Sequence, residues 1–196
     1  MDLPGEQAQY RMAQFGRERL EASKIRQADY KRSAVMILIC LDENYKLFIP
    51  LIERANYDGV HSGQISLPGG KFDKDDIDLK NTAIRECYEE IGLKDLEVLG
   101  TLSQLYIPVS GFLVQPYIAY SLIQNPQFNQ QEREVKKILK LSLQSLLNDS
   151  FSKKGIINID NQLNVKAPYY ELEDKKIGGA TAMILSELKE LLKTTF

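Results

Sequence analysis

The sequence predicts an α/β domain: a mixed sheet with helices packed against it. Three observations carry that expectation. Apolar runs of strand length lie in the first third, a helix with a clear stop signal lies near the middle, and an amphipathic helix closes the chain. With 196 residues, 43% hydrophobic and 27% charged, the chain can bury a core without disulfides or structural metal. Its formal net charge is −2. No overall basic field recruits nucleic acid, so a polyanionic ligand would need cations supplied locally.

Residues 1–30 read as an N-terminal helical extension packing on the domain, and 31–196 as the domain itself. Within the extension, 5–29 read as one charged amphipathic helix with Ala8, Met12, Phe15, Leu20 and Ile25 as its apolar stripe. Arg11, Arg17, Glu18, Arg19 and Glu21 leave no continuous apolar stretch, so no signal peptide is expected. The longest apolar run, Ala34 to Leu41, is too short to span a bilayer. The expected location is the cytoplasm, with no membrane partner. Cys40 and Cys87 lie in apolar surroundings and read as free buried thiols. His61 is the only histidine, so no Cys/His metal cluster exists.

Residues 34–41 (AVMILICL) read as a buried strand, Asp42-Glu43-Asn44 as a turn, and 45–52 as the hairpin partner. Pro50 favours an edge or a bulge in that partner. Leu67-Pro68-Gly69-Gly70 breaks into a loop that runs on through Asp73 to Asp78. Residues 79–91 show helical character, and Gly92 stands where a left-handed cap belongs. Strands are expected at 96–106 and 112–123, a strand leading into a short helix at 132–148, and a terminal helix at 180–193.

The segment from Gly69 to Leu93 carries the chemistry. On a helix of 100° per residue, Glu86, Glu89 and Glu90 fall within one arc of about 100°. Ile84, Cys87, Tyr88 and Ile91 occupy much of the opposite side, so one face can be buried while three carboxylates stand on the other. Clustered hard oxygen ligands suit Mg²⁺ or Mn²⁺. Taken alone, such a cluster is more commonly a solvated acidic face. Glycines before the helix allow a sharp turn and close approach to a ligand. Arg85 and Glu89 are an i,i+4 pair, in which the arginine can hold that carboxylate.

Arg85-Glu86-Cys87-Tyr88-Glu89-Glu90-Ile91-Gly92-Leu93 resembles the second half of the Nudix box, R-E-U-x-E-E-x-G-U with U apolar, at every position. The first half, G-x5-E-x7-R, is altered. Asp76 stands where the glutamate is counted from Gly70, and eight residues rather than seven separate it from Arg85, which puts the role of Asp76 in question. His61-Ser62-Gly63-Gln64-Ile65-Ser66-Leu67-Pro68-Gly69-Gly70 is similar to the H-x-G-Q-[IV]-x-[FL]-P-G-G stretch of coenzyme A pyrophosphatase-like Nudix proteins. That subgroup also tends to carry the inserted residue, and Arg54 falls where it has an arginine ending the upstream strand. Ile177-Gly178-Gly179-Ala180-Thr181-Ala182 resembles its I-W-G-x-T-A, with Gly178 in place of the tryptophan. Gly59 stands where a further basic residue is common. The resemblance covers roughly residues 32–190.

It implies an α/β/α sandwich with a mixed sheet. It also implies a hydrolase that cuts the diphosphate of coenzyme A or acyl-CoA to 3′,5′-ADP and 4′-phosphopantetheine. Glu86, Glu89 and Glu90, with the Gly70 carbonyl, would bind Mg²⁺ or Mn²⁺. Catalysis would involve Glu86, Glu89, Arg85 and Glu134, the last resembling a distal glutamate that many relatives supply. Arg54, His61, Gly69 and Lys71 would meet the substrate, His61 by orienting its loop. Tyr57, Tyr106, Tyr117, Tyr169 and Tyr170 are stacking candidates or packing residues. Rival readings are a Nudix hydrolase of ADP-ribose, a dinucleotide or a nucleoside triphosphate, and a sensor that binds nucleotide without chemistry. Family members often pair as homodimers, though no segment here marks an interface.

Overall fold

The apolar run at 34–41 belongs to β1 (Lys31–Leu41). A computed structural model of the chain describes residues 2–19, 29–55, 63–160 and 163–195, and β1 is the middle strand of its eight-stranded mixed sheet. The other strands are β2 (Leu47–Arg54), β3 (Ile65–Ser66), β4 (Gly69–Lys71), β5 (Leu96–Thr101), β6 (Leu105–Ile107), β7 (Phe112–Ser121) and β8 (Val135–Ser142). Among the described residues, only β1 and β7 run parallel, in register from Lys31 opposite Phe112 to Ile39 opposite Tyr120. The second edge of β1 is divided. Ser33 to Val35 pair with β4, and Cys40 and Leu41 pair with β2. The sheet forks there, because β2 turns away to pair with β8 and β3.

Along β1 the side chains alternate between two cores although the run is apolar throughout. Ala34, Met36, Leu38 and Cys40 join one cluster with Ala83, Cys87 and Ile91 of the helix α2 (Leu79–Ile91). Ile37, with Val35 and Ile39 packed alongside, joins another cluster with Met183, Leu185 and Leu188 of α4 (Gly179–Thr195). Helices thus cover both faces of the sheet. The short α3 (Leu143–Leu147) follows β8 directly, as expected, with Ser142 capping it.

Four expectations need correction. The N-terminal helix is confined among the described residues to α1 (Gly5–Tyr10), followed by turns. Ala8 and Met12 are buried, but Phe15 is 59% exposed. The Phe15 amide donates to the Lys166 carbonyl, a tertiary bond that replaces the helical one. Leu20 and Ile25 lie outside the described residues. The run 96–106 is two strands: β5 and β6 pair in turn with β7, and Leu102 is buried in the corner between them. Pro50 sits inside the sheet opposite Lys140 of β8. On its other side the ladders of β2 to β1 and β3 stop at Phe48 and resume at Ile52, so the missing N–H falls in a gap. Finally, a second antiparallel sheet was not anticipated: β9 (Ser152–Asp160), β10 (Leu163–Leu172) and β11 (Lys175–Ile177). It joins the second core through Tyr170 and Ile177. Among the described residues, no helix is long and apolar enough to cross a membrane.

Candidate active site

Helix α2 begins at Asp78, whose carboxylate accepts the Asn81 N–H at 2.8 Å, and ends at Gly92 with φ 75°. Its buried face differs from the one the sequence suggested. Tyr88 is 51% exposed, whereas Glu90 is sealed in with Thr82, Ala83, Cys87 and Ile91. The three carboxylates therefore lie at three depths: the side chains of Glu90, Glu86 and Glu89 are 1%, 14% and 46% exposed.

The deepest carboxylate is anchored to β4. Glu90 Oε2 accepts the Gly69 N–H at 2.8 Å, and Oε1 lies 3.5 Å from Arg54 Nη2. Arg54 also donates to the Gly69 carbonyl at 3.2 Å, so it braces this corner of the site. Burial pushes the Glu90 carboxyl up to about 7 despite Arg54 and the Gly69 amide, and the charges of Glu86 and Glu134 add to the rise. Burial is also the main reason that Glu86 is raised, with Arg85 opposing it. Gly70 lets Glu86 approach closely, because a Cβ there would stand 2.4 Å from its carboxylate and push it aside.

Arg85 organises the outer part. Its Nε and Nη2 meet Asp76 Oδ1 and Oδ2 at 2.9 and 3.0 Å, while Nη1 donates to Glu86 Oε1 and Glu89 Oε2, both at 2.9 Å. A longer bond of 3.3 Å runs from Nη2 to the Lys71 carbonyl. Asp76 further accepts the Thr82 hydroxyl at 2.8 Å and the Asp73 amide at 2.9 Å. The Arg85 guanidinium holds the Asp76 carboxyl well below the usual carboxylate range. Asp76 raises the arginine in return. The inserted residue and the shortened side chain thus leave a two-pronged carboxylate–guanidinium pair intact.

Glu134, just before β8, has its backbone carbonyl bonded to the Ala55 amide at 2.8 Å, beyond the end of β2. Its charge reaches both Glu86 and Glu90. The Lys71 side chain is exposed. His61, Gly59 and Tyr57 lie outside the described residues. Tyr169 and Tyr170 are buried, the latter stacked on Phe151, and so serve packing. Thr82 was missed by sequence reasoning. Its only signal was a small hydroxyl one turn ahead of Arg85, on the same helix face.

Among the described residues, no three acidic, histidine or cysteine side chains converge as a ready metal cage. Glu89 is turned to Arg85 and Glu90 to Gly69. The donor set nevertheless suits a hard divalent cation. Carboxylate oxygens stand against the Gly70 backbone, and neighbouring acids add to the rise that burial gives Glu86 and Glu90, a charge imbalance that a cation would relieve.

Comparison with known proteins gives the family and the fold. Residues 30–155 match the family model described as the NUDIX domain. The chain is 33% identical over 167 residues to the Uncharacterized Nudix hydrolase NudL of Yersinia pestis (strain Pestoides F), covering 83% of this chain and 80% of that one. The same figures hold for the NudL protein of Yersinia pseudotuberculosis serotype O:1b (strain IP 31758). Among solved structures, the Nudix hydrolase RenU of M. smegmatis superposes with a TM-score of 0.57 at 15% identity, over 84% of this chain and 86% of that one. The NUDIX domain of Shewanella oneidensis NrtR, complexed with ADP ribose, gives 0.53 at 16% identity, over 89% and 99%. At these identities the structural likeness concerns the fold.

Proposed function

Since the chain belongs to the Nudix hydrolase family, we propose that it cuts the diphosphate of coenzyme A or acyl-CoA, releasing 3′,5′-ADP and 4′-phosphopantetheine. The carrying observation is the set of Glu86, Glu89 and Glu90 braced by Arg85 and Arg54 against the Gly69–Gly70 backbone. The choice of coenzyme A is supported by the His61–Gly70 stretch and its likeness to the coenzyme A pyrophosphatase-like subgroup.

Nudix hydrolases generally need divalent metal ions. Glu86, Glu89 and Glu90, with the Gly70 backbone, would hold Mg²⁺ or Mn²⁺, which supplies charge neutralisation on the diphosphate and lowers the pKa of a bound water. The chain's own contribution is positioning. Asp76 fixes the plane of the Arg85 guanidinium, which sets the directions of Glu86 and Glu89. Arg54 and the Gly69 amide fix Glu90. Glu134, whose charge reaches Glu86 and Glu90, would take the proton from the attacking water. Water adds across one P–O bond of the anhydride, so the two products are both phosphate monoesters.

A panel of coenzyme A, ADP-ribose, a dinucleoside polyphosphate and nucleoside triphosphates, each with Mg²⁺ or Mn²⁺ and with products identified, tests the assignment. Coenzyme A should give the highest kcat/KM; a tenfold advantage for ADP-ribose would reject it. Glu89→Gln should abolish turnover while the circular dichroism spectrum is unchanged. Undiminished turnover in that variant would remove the proposed centre.

A further inference from the structure

The stripe of α2 that carries Arg85, Glu86 and Glu89 begins one turn earlier, at Thr82. These residues stand at i, i+3, i+4 and i+7, the spacing of one helix face. Thr82 is fully buried, so its hydroxyl must be satisfied from within the protein. Two acceptors compete for its single proton. The Asp78 carbonyl, at 3.3 Å, is the partner a threonine ordinarily takes inside a helix. Asp76 Oδ2, at 2.8 Å, belongs to the carboxylate paired with Arg85. The shorter, charge-assisted bond takes the proton.

Asp76 Oδ2 receives the Thr82 hydroxyl, the Asp73 amide at 2.9 Å and Arg85 Nη2 at 3.0 Å. These donors anchor it to different things. Asp73 belongs to the same turn as Asp76, and Arg85 is the group that must itself be held. Thr82 is supplied by the body of α2, so it ties the turn to the helix that carries the glutamates. With Asp76 tied there, two sides of the guanidinium are fixed. Nη1 is then left to divide its N–H groups between Glu86 and Glu89. A carboxylate free to swing with its turn would carry the arginine, and both glutamates, along with it.

We infer that Thr82 is a positioning residue of the hydrolytic centre: its hydroxyl holds Asp76, and through Asp76 and Arg85 it aims the Glu86 and Glu89 carboxylates at the divalent cation. The inference rests on the reading of these glutamates as metal ligands. Thr82 acts through Arg85 and takes no part in the bond changes.

Isothermal titration of the full chain with MnCl₂ tests this without turnover. Thr82→Val exchanges the hydroxyl for a methyl group, and Thr82→Ser keeps the hydroxyl and loses the methyl. Thr82→Val should weaken Mn²⁺ binding about tenfold, the effect of losing an outer partner of the ligands, while Thr82→Ser keeps the affinity. Thr82→Ala provides a second side chain without a hydroxyl, one that a helix accepts readily. Melting temperatures separate positioning from stability. A purely structural role would rank the variants' affinities by melting temperature, whereas positioning ranks them by the presence of the hydroxyl. With coenzyme A, the valine variant should lose kcat and keep its KM. Wild-type Mn²⁺ affinity in the valine or alanine variant, or a loss in serine equal to that in valine, would overturn the role. Mn²⁺ failing to bind the unmodified chain would overturn it together with the metal site. Coenzyme A left intact by a protein whose Mn²⁺ affinity still depends on the hydroxyl would overturn the proposed substrate and leave Thr82 in its place.

Discussion

Arg85 meets three carboxylates with one planar group, and Asp76 holds that group from the side away from Glu86 and Glu89. Asp76→Asn would break the pair while leaving the Thr82 hydroxyl and the Asp73 amide with a weaker acceptor. The expected loss is about 3 kcal/mol, read by urea denaturation near neutral pH. The pair lowers the Asp76 carboxyl from its ordinary value of 3.8, so its contribution is complete above that value and is lost as pH falls toward the folded value. Wild type and variant should therefore converge in stability below about pH 4, and a constant gap down to about pH 2 would count against the pairing. Gly70→Ala should cost about 10²-fold in kcat/KM, because its methyl would displace the Glu86 carboxylate. At this scale the sequence showed which residues share a side of the helix. It did not show their depth, since helical angles carry no information on how closely Gly69 approaches Glu90.

The bounds of helix α2 were legible because its periodicity and its stop signal agree locally, although its buried face was not. The second sheet was not. β9 and β11 each carry two adjacent lysines, Lys153-Lys154 and Lys175-Lys176, and pairing with β10 makes strands of them. The N-terminal segment was misjudged because Phe15 finds its hydrogen bond in β10, a partner invisible to local pattern. The packing of α2 on β1 has its own test. Cys40 and Cys87 lie in one core, and burial pushes both thiols up to about 12. Neither should react with a disulfide reagent near neutral pH in the folded protein, whereas both should on unfolding in guanidinium. Rapid native labelling would mean that α2 does not stay seated on the sheet.

One buried carboxylate ties distant parts of the molecule together. Glu187 of α4 accepts the Gly5 and Ser103 amides, each at 3.1 Å, and the Gln9 side-chain amide at 2.7 Å. It thereby joins the first helix, the corner between β5 and β6, and the last helix. Glu187→Ala would strand three donors, and the expected loss of about 3 kcal/mol should lower the melting temperature by roughly 10 °C in a chain of this size. A shift of only a degree or two would show that the amino terminus is docked by apolar contacts alone.

The turn at 73–78 swells outward at Ile77, which is 88% exposed, while Asp76 and Asp78 on either side stay fixed to α2. Its length is thereby uncoupled from the chemistry beneath it. Descendants of this chain can gain or shed a residue at that crest and keep a working scaffold. Kinship in such a lineage is better judged by whether a carboxylate still reaches the arginine than by counting letters between them.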